Sequence, residues 1–241
     1  MTFIKLNNNL ISLGGKLLSV PSILPTPQVI YDSNTVAWYD STDLNTITKD
    51  GNDYVSLWKD KLNSGHDLIQ NIGTSQPKWI SNDGVLFDAD FMKTTPFIFN
   101  QPEMFYIVLK INHLGTASNT IIDGNSITER GILWIWTTYS PIYYILYAGT
   151  VSGSEIPFSI GEFKILRVLF NSTNSIIKSM ETVSNTLNPG TGNIGGIRVG
   201  SNILNADFGY MTIKEIIARK VADNTTDETN IYNYLKTKYS L

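Results

Sequence analysis

The chain has 241 residues, of which 42% are hydrophobic and 16% are charged, and its formal net charge at pH 7 is −3. This much apolar material can form the core of one large domain or of two small ones, and a near-neutral charge without any basic block argues against a nucleic-acid partner. Because the chain contains no cysteine, disulfides, thiolate metal sites and cysteine nucleophiles are excluded.

The first residues predict a hairpin followed by a linker. Two short apolar pieces, residues 11–13 and 16–18, flank the Gly14-Gly15 pair, and glycine accepts the positive φ of a tight turn. Such a hairpin buries little surface, so we expect it to dock onto this domain, a second subunit or another protein, or else to be a loosely ordered terminus. Pro21, Pro25 and Pro27 follow as a stiff linker. We therefore predict an anchoring arm with a Pro-rich linker over residues 1–28 and a main domain over residues 29–241.

No targeting or membrane segment is recognisable. Three asparagines and a Gly-Gly-Lys run interrupt the apolar residues at the start of the chain, unlike the core of a secretory signal peptide. No stretch approaches the ~20 apolar residues that a membrane-spanning helix needs. We expect no membrane partner.

Residues 36–90 alternate short apolar pieces with polar turns and carry three of the five tryptophans, Trp38, Trp58 and Trp79. Large aromatic residues among turn residues are typically buried beneath loops, where the indole N–H finds a carbonyl group. We interpret this block as the folding nucleus of an all-β domain.

Strand-like runs continue through most of the remaining chain. The nearly continuous apolar run at residues 104–111 predicts a strand that is covered on both faces, and the run at residues 163–170 predicts another core strand. In the second run, Lys164 and Arg167 need an exit to solvent or a carboxylate partner. The aromatic-rich runs 131–137 and 142–148 predict a hairpin. Further runs at residues 176–177, 197–199 and 208–218 give roughly a dozen strands, which is typical of a sandwich or jelly roll.

The end of the chain predicts a helix. Ile231, Leu235 and Tyr239 recur every four residues, as on the apolar stripe of a helix that lies on a sheet. Thr225 and Glu228 have the spacing of a capping box. We therefore expect a short C-terminal helix packed against the sheets.

Seven segments occur in the order that they have in a known family. They are WYD (38–40), WKDKLNSGHDLIQ (58–70), QP-x-W (76–79), NDGVLFD (82–88), IRVG (197–200), GYMTIKEIIARK (209–220) and DETNIYNYLKTKYSL (227–241). Together they resemble the concanavalin A-like lectin/laminin G-like jelly-roll superfamily, in the form found in bacteriophage structural proteins. The resemblance covers nearly all of residues 29–241. It implies an all-β, two-sheet antiparallel jelly-roll sandwich with a short C-terminal helix, and the N-terminal extended arm predicted above precedes this sandwich.

The superfamily holds sugar binders, glycanases and structural modules, so the fold alone does not select an activity. Glycanases of this kind carry carboxylates that alternate along one strand, and glycoside hydrolysis needs two carboxyl groups across the bond. Here Glu155 and Glu162 are expected in turns, and Glu215 stands alone in its strand. Two histidines and no cysteine also make a histidine-centred triad or a zinc site improbable. We therefore predict that the chain is not an enzyme and has no catalytic residues.

The aromatic hairpin supplies candidate ligand-binding residues. Alternation places Trp134 and Trp136 on one face of their strand and places Tyr143 and Tyr147 on one face of the neighbouring strand, with Tyr139 between the strands. Such residues could stack on sugar rings, or they could fill the core or a subunit interface. Our candidates for ligand binding are Trp134, Trp136, Tyr139 and Tyr143.

Asp88 and Asp90 are weak candidates for a metal site, because carboxylate oxygens are the ligands that calcium prefers. A solvated pair in a loop is the alternative interpretation. Apart from such a calcium ion, no cofactor is expected.

With the resemblance, these features predict a structural protein of a bacteriophage particle, as a head fibre, an auxiliary or decoration capsid protein, or a tail component. The arm would attach to other virion proteins, and the lectin-like domain would face outward and contact surface glycans. Copies could also form a homo-oligomer. The expected location is the surface of the virion, after synthesis in the bacterial cytoplasm. The alternative is a glycan-active hydrolase or a free bacterial lectin.

Overall fold

The computed structural model describes residues 10–13, 16–19, 25–137 and 142–241. Within these ranges the strands are β1 (Leu10–Leu13), β2 (Lys16–Ser19), β3 (Thr35–Asp40), β4 (Ile47–Lys49), β5 (Val55–Trp58), β6 (Leu68–Ile69), β7 (Lys78–Ile80), β8 (Gly84–Asp88), β9 (Met92–Lys93), β10 (Glu103–Ile111), β11 (Ser118–Asp123), β12 (Ile132–Trp136), β13 (Tyr143–Tyr147), β14 (Val151–Pro157), β15 (Phe163–Phe170), β16 (Ile176–Ser179), β17 (Thr182–Val183), β18 (Arg198–Val199) and β19 (Tyr210–Arg219). The helix α1 spans Thr225–Tyr239, and short 3-10 helices lie at Gln28–Tyr31, Leu44–Thr46, Gly73–Ser75 and Ser172–Asn174.

The strands of the main domain form two large antiparallel sheets. Sheet I has the order β17-β16-β15-β10-β19-β8-β7, and β3 also pairs with β19. Sheet II has the order β14-β13-β12-β11-β18-β9-β6-β5-β4. Strands β1 and β2 pair with each other, with Leu13 opposite Lys16, as the predicted hairpin requires. The Gly14-Gly15 turn of that hairpin lies outside the described residues.

Side-chain alternation along the strands places the core. In β10, Phe105 and Ile107 belong to the same buried cluster as Leu133 and Ile135 of β12, so this cluster fills the space between the two sheets. The intervening residues of β10, including Tyr106, pack instead in a second cluster with α1. Strand β10 is therefore covered on both faces, as its continuous apolar run predicts.

Helix α1 carries its apolar stripe on sheet I, where Ile231 and Leu235 are wholly buried. The predicted capping box at Thr225 is wrong. The N-cap is Asn224, whose side chain accepts hydrogen bonds from the N–H groups of Thr226 and Asp227. Asparagine is among the strongest N-cap residues, so the helix begins one residue after it, with Thr225 already in the first turn.

Ion pairs complete the contact between α1 and sheet I. Arg167 of β15 donates to Glu228 of the helix at 3.0 Å, which supplies the carboxylate partner that its position in an apolar strand demands. Lys238, in the last turn of the helix, donates to Glu215 of β19 at 2.6 Å and to Asp40 of β3 at 2.8 Å. Glu215 is the only carboxylate in β19, and it has its partner in the helix.

The architecture confirms the predicted all-β antiparallel sandwich with a short C-terminal helix. In the part of the chain that the structure describes, no helix is both long enough and apolar enough to cross a membrane. The division into an arm of residues 1–28 and a domain of residues 29–241 stays a prediction.

Candidate functional site

A cavity of about 540 Å³ lies on the face of sheet II that points away from the core. Aromatic residues of β12 and β13 form its floor, and residues of β11 and of the loop between β18 and β19 form its walls. We call it the aromatic trough. The described residues that line it are Ala117, Ser118, Thr120, Arg130, Ile132, Trp134, Trp136, Tyr147, Val151, Asn202, Leu204 and Asp207.

Three half-buried aromatic side chains shape the floor of the trough. The rings of Trp134 and Trp136 meet edge to face, with centroids 6.2 Å apart and an interplanar angle of 76°. The ring of Tyr147 lies nearly parallel to that of Trp134, with centroids 6.1 Å apart. Their neighbours Leu133 and Ile135 point into the core. The three aromatic rings therefore lie on the outer face of the sandwich and not in its core.

The structure brings together some of the candidate ligand-binding residues. Trp134 and Trp136 both line the trough, joined by Tyr147. Tyr143 is half-buried at the other end of β13, where it pairs with Pro157 of β14, and it is not among the described lining residues. Tyr139 lies outside the described residues. Ligand binding by these side chains stays a prediction.

A buried carboxylate ties two parts of the trough together. Asp123, at the end of β11, is wholly buried. It accepts hydrogen bonds from Nη2 of Arg130 at 2.7 Å and from Nε at 3.4 Å. Its other contacts include the N–H group of Ile203 at 2.8 Å. Asp123 therefore positions the guanidinium of Arg130 and the loop that forms the opposite wall.

That wall is the 202–207 loop, whose shape depends on the side chain of Asn202. Oδ1 of Asn202 accepts the N–H groups of Leu204 and Ala206, both at 3.0 Å, and its Nδ2 donates to Oδ2 of Asp207 at 2.7 Å. The Asp207 backbone is in the left-handed region, with φ of 50°, and its carbonyl accepts the N–H of Thr120 at 3.0 Å. The loop thus holds the carboxylate of Asp207 at the trough.

A second arginine supports the 202–207 loop. Arg198 of β18 is 1% exposed and lies opposite Asp123 in the strand pairing. Its guanidinium lies 3.8 Å from the ring centroid of Phe91 and donates to Ser201 and Asn205. Burial lowers the pKa of Arg198 to about 10, and the charge of Asp123 opposes that shift. Arg198 is therefore cationic at neutral pH.

Sequence patterns did not single out Arg130, Asn202 or Asp207. All three lie in connecting segments, where no periodicity marks the direction of a side chain. The one signal available was the cluster of asparagine and aspartate residues before β19, which is typical of turns. That signal predicts a loop but does not predict which strand the loop will approach.

The weak metal candidates lie at the end of β8, in sheet I. Asp88 is exposed, 3.6 Å from Nε2 of His113, and its N–H donates to Oδ2 of Asp90 at 3.2 Å. Burial raises the pKa of Asp90 to about 6. In the described residues no group of three or more histidine, cysteine, aspartate and glutamate side chains is arranged to hold a metal ion. Among the described residues, Asp88 and Asp90 therefore have no third such side chain beside them that could help to bind calcium.

No family model and no curated protein matches the chain, but solved structures share its fold. It is similar to the sialidase of Trypanosoma rangeli in complex with sialic acid, with a TM-score of 0.57 and 10% identity over 87% of this chain and 33% of that chain. It is also similar to a GH54 α-L-arabinofuranosidase soaked with a cyclic sulfate inhibitor, with a TM-score of 0.61 and 12% identity over 76% of this chain and 51% of that chain. The chain thus spans about a third of the sialidase and half of the arabinofuranosidase.

These comparisons contradict the prediction that the chain is not an enzyme, because sandwiches of this shape occur within glycoside hydrolases. The missing run of alternating carboxylates therefore does not exclude catalysis, since carboxylates from loops can enter a site. One premise of that prediction is also wrong: Glu155 lies within β14 and not in a turn. At these identities the comparisons show a shared β-sandwich fold, and the bacteriophage context stays a prediction.

Proposed function

We propose that this chain binds a glycan in the aromatic trough and belongs to a carbohydrate-active protein. The observation that carries the proposal is the arrangement of Trp134, Trp136 and Tyr147 on the outer face of sheet II, next to the carboxylate of Asp207. A sugar ring has an apolar face that can stack on aromatic rings, while its hydroxyl groups bind the few polar groups of a pocket. The fold shared with two glycoside hydrolases supports the same class of ligand.

A glycan array, followed by calorimetry with the oligosaccharides that bind, tests this proposal. We expect Trp134→Ala to weaken binding at least tenfold, which corresponds to about 1.4 kcal/mol, because the variant removes the central ring of the floor. Tyr54→Ala is the matched control, since Tyr54 is 40% exposed and lies beside β5, near the opposite edge of the same sheet. No binding by the unaltered protein, or equal losses in the two variants, would contradict the proposal.

Hydrolysis of the bound glycan is the second candidate, favoured by the arabinofuranosidase fold match. Glycoside hydrolysis uses two carboxyl groups, and Asp207 is the carboxylate among the described lining residues. Asp207 would supply one of the two roles. In an assay for released reducing ends, we expect Asp207→Asn to lose activity while it still binds glycan. Equal release by the variant and the unaltered protein would remove Asp207 from catalysis.

Three further proposals rest on the sequence: the location on a bacteriophage particle, the contact of residues 1–28 with other virion proteins, and the self-association of the chain. Glycan binding suits a particle surface as well as a free enzyme. The corresponding test compares the full chain with a variant lacking residues 1–24 for incorporation into particles. Equal incorporation would contradict attachment through the arm.

A further inference from the structure

We infer that the aromatic trough selects uncharged sugars and discriminates against acidic ones, such as those that contain sialic acid. The inference rests on the proposed glycan binding and specifies the class of ligand for the same site. It follows from the charges at the trough and from the partners that those charges already have.

The cation at the trough is already neutralised. Arg130 is the only lysine or arginine among the described residues that line the trough. Its Nη2 and Nε both donate to Asp123, at 2.7 Å and 3.4 Å. A guanidinium recognises a sugar carboxylate best through two parallel hydrogen bonds. Here the Nε–Nη2 edge of the guanidinium is occupied by the buried carboxylate of Asp123.

Among the described residues, the remaining positive and negative charges near the trough are equal in number. Asp207 carries the negative charge of the lining, and its described side-chain partner, the amide of Asn202, is neutral. Arg198 is cationic, but it is 1% exposed and its hydrogen bonds run to Ser201 and Asn205, so it offers no donor to a ligand. Two cations, Arg130 and Arg198, thus face two carboxylates, Asp123 and Asp207. An acidic sugar would add a negative charge next to Asp207 without a free counter-charge.

The remaining polar groups suit hydroxyl groups. Asp207 is the carboxylate among the described residues that line the trough, and a carboxylate accepts hydrogen bonds. A sugar hydroxyl group can donate to it, whereas a sugar carboxylate can only accept. The trough therefore offers a partner to the hydroxyl groups of a neutral sugar.

Paired neutral and acidic probes test the inference. We would measure affinities at low ionic strength for lactose against 3′-sialyllactose, and for galactan oligomers against oligogalacturonides, after an array that contains neutral and acidic glycans. We expect the neutral member of each binding pair to bind at least tenfold more tightly. Asp207→Asn should narrow or reverse this ratio, because it leaves the two cations with a single carboxylate.

Two further variants keep the result interpretable. Leu204→Lys adds a positive charge at an exposed rim position without altering the hydrogen bonds of the loop, and it should also favour the acidic probes. Glu162→Gln removes an exposed carboxylate between β14 and β15 and should leave the ratio unchanged. Acidic probes that bind as tightly as neutral ones, or a ratio that neither Asp207→Asn nor Leu204→Lys changes, would overturn the inference but leave glycan binding intact. No binding of any glycan would instead refute the proposed function together with it.

Discussion

Glu103, the first residue of β10, is a wholly buried carboxyl group without an ion-pair partner in the described part of the chain. Its Oε1 accepts the N–H of Ile194 at 2.7 Å, and its Oε2 has no hydrogen-bond partner among the described residues. Burial raises the pKa of Glu103 to about 8, and the Ile194 hydrogen bond only partly offsets this. At neutral pH the side chain is therefore protonated in the folded protein.

This carboxyl group makes stability depend on pH in an unusual direction. The folded state keeps the proton up to about pH 8, whereas the unfolded chain loses it near the ordinary value, so stability is complete at acidic pH, falls as the pH rises from that ordinary value to about 8, and changes no further above it. Glu103→Gln removes this loss. At pH 8.5 we expect the variant to be about 2–5 kcal/mol more stable than the unaltered protein, with little difference at pH 4.5, by urea denaturation. Parallel stability curves for the two proteins would refute the assignment.

At the scale of single elements, α1 is held to sheet I by a buried charge cluster. Nζ of Lys238 contacts Glu215 and Asp40, and Glu215 also accepts hydrogen bonds from the hydroxyl of Tyr239 at 2.6 Å and from Nε1 of Trp38 at 2.7 Å. Although burial opposes it, the charge of Lys238 helps to lower the pKa of Asp40 to about 2. Lys61 also donates to Asp40, at 2.8 Å, so the helix supplies the described cation of Glu215 and one of the two cations that contact the carboxylate of Asp40 most closely.

Lys238→Ala should therefore destabilise the protein strongly. The variant leaves Glu215 buried without its described cation, and breaking a buried pair on one side costs about 3–5 kcal/mol. Lys236→Ala is the matched control on the same helix, because Lys236 pairs with the exposed Glu181, and we expect no measurable change. Urea midpoints measure both effects. Similar shifts of the urea midpoint in the two variants would contradict a larger contribution of the buried charge cluster to stability.

The start of α1 gives a second prediction at this scale. Asn224→Ala removes the acceptor for two N–H groups of the first turn and should cost about 1 kcal/mol. Thr225→Ala should cost clearly less, since Thr225 is already helical. Thermal unfolding distinguishes the two. A larger loss of stability for Thr225→Ala than for Asn224→Ala would support the capping box that the sequence predicts.

Elements differ in how far their sequence determines them. The largely apolar runs at 104–111 and 163–170 correspond to β10 and β15 within one residue, because a strand that is buried on both faces is apolar at most of its positions. Strands β6 and β9 have two residues each. A two-residue strand carries no period of its own, so it exists only through its partners and could not be predicted from the chain.

At the scale of the whole molecule, the trough is assembled from pieces that are distant in sequence. Its floor was predictable, because Trp134 and Trp136 alternate with buried residues in one strand. Its wall was not, because Asp207 comes to the floor only through the pairing of β11 with β18 and the carbonyl contact to Thr120. The ion pair between Arg130 and Asp123 also depends on distant segments, because Asp123 accepts the N–H group of Ile203 in the wall as well. The local sequence thus predicts which side chains share one face of a strand. The complete site depends on pairing between distant strands.

The residues that follow the predicted linker are part of the folded unit. Ile30 belongs to the buried cluster under α1, and the guanidinium of Arg219 donates to the carbonyl of Val29, at 2.6 Å, and to Asp32 and Thr35. We expect residues 25–241 to unfold at the same temperature as the full chain, whereas residues 36–241 should lose much of their stability. Calorimetry of both truncated proteins measures this. A large loss on removal of residues 1–24 would place the arm in the folded core.

Strand β19 pairs with β3, β8 and β10, all of which precede it by roughly one hundred residues or more. During synthesis on the ribosome those three strands emerge long before the one that joins them, and contacts between distant segments form late in folding. The nascent chain therefore carries unsatisfied strand edges and exposed apolar faces until residue 219 has left the exit tunnel. A stop codon shortly before that point would release a product that lacks an intact β19 and is prone to aggregation, with chaperones as its main protection.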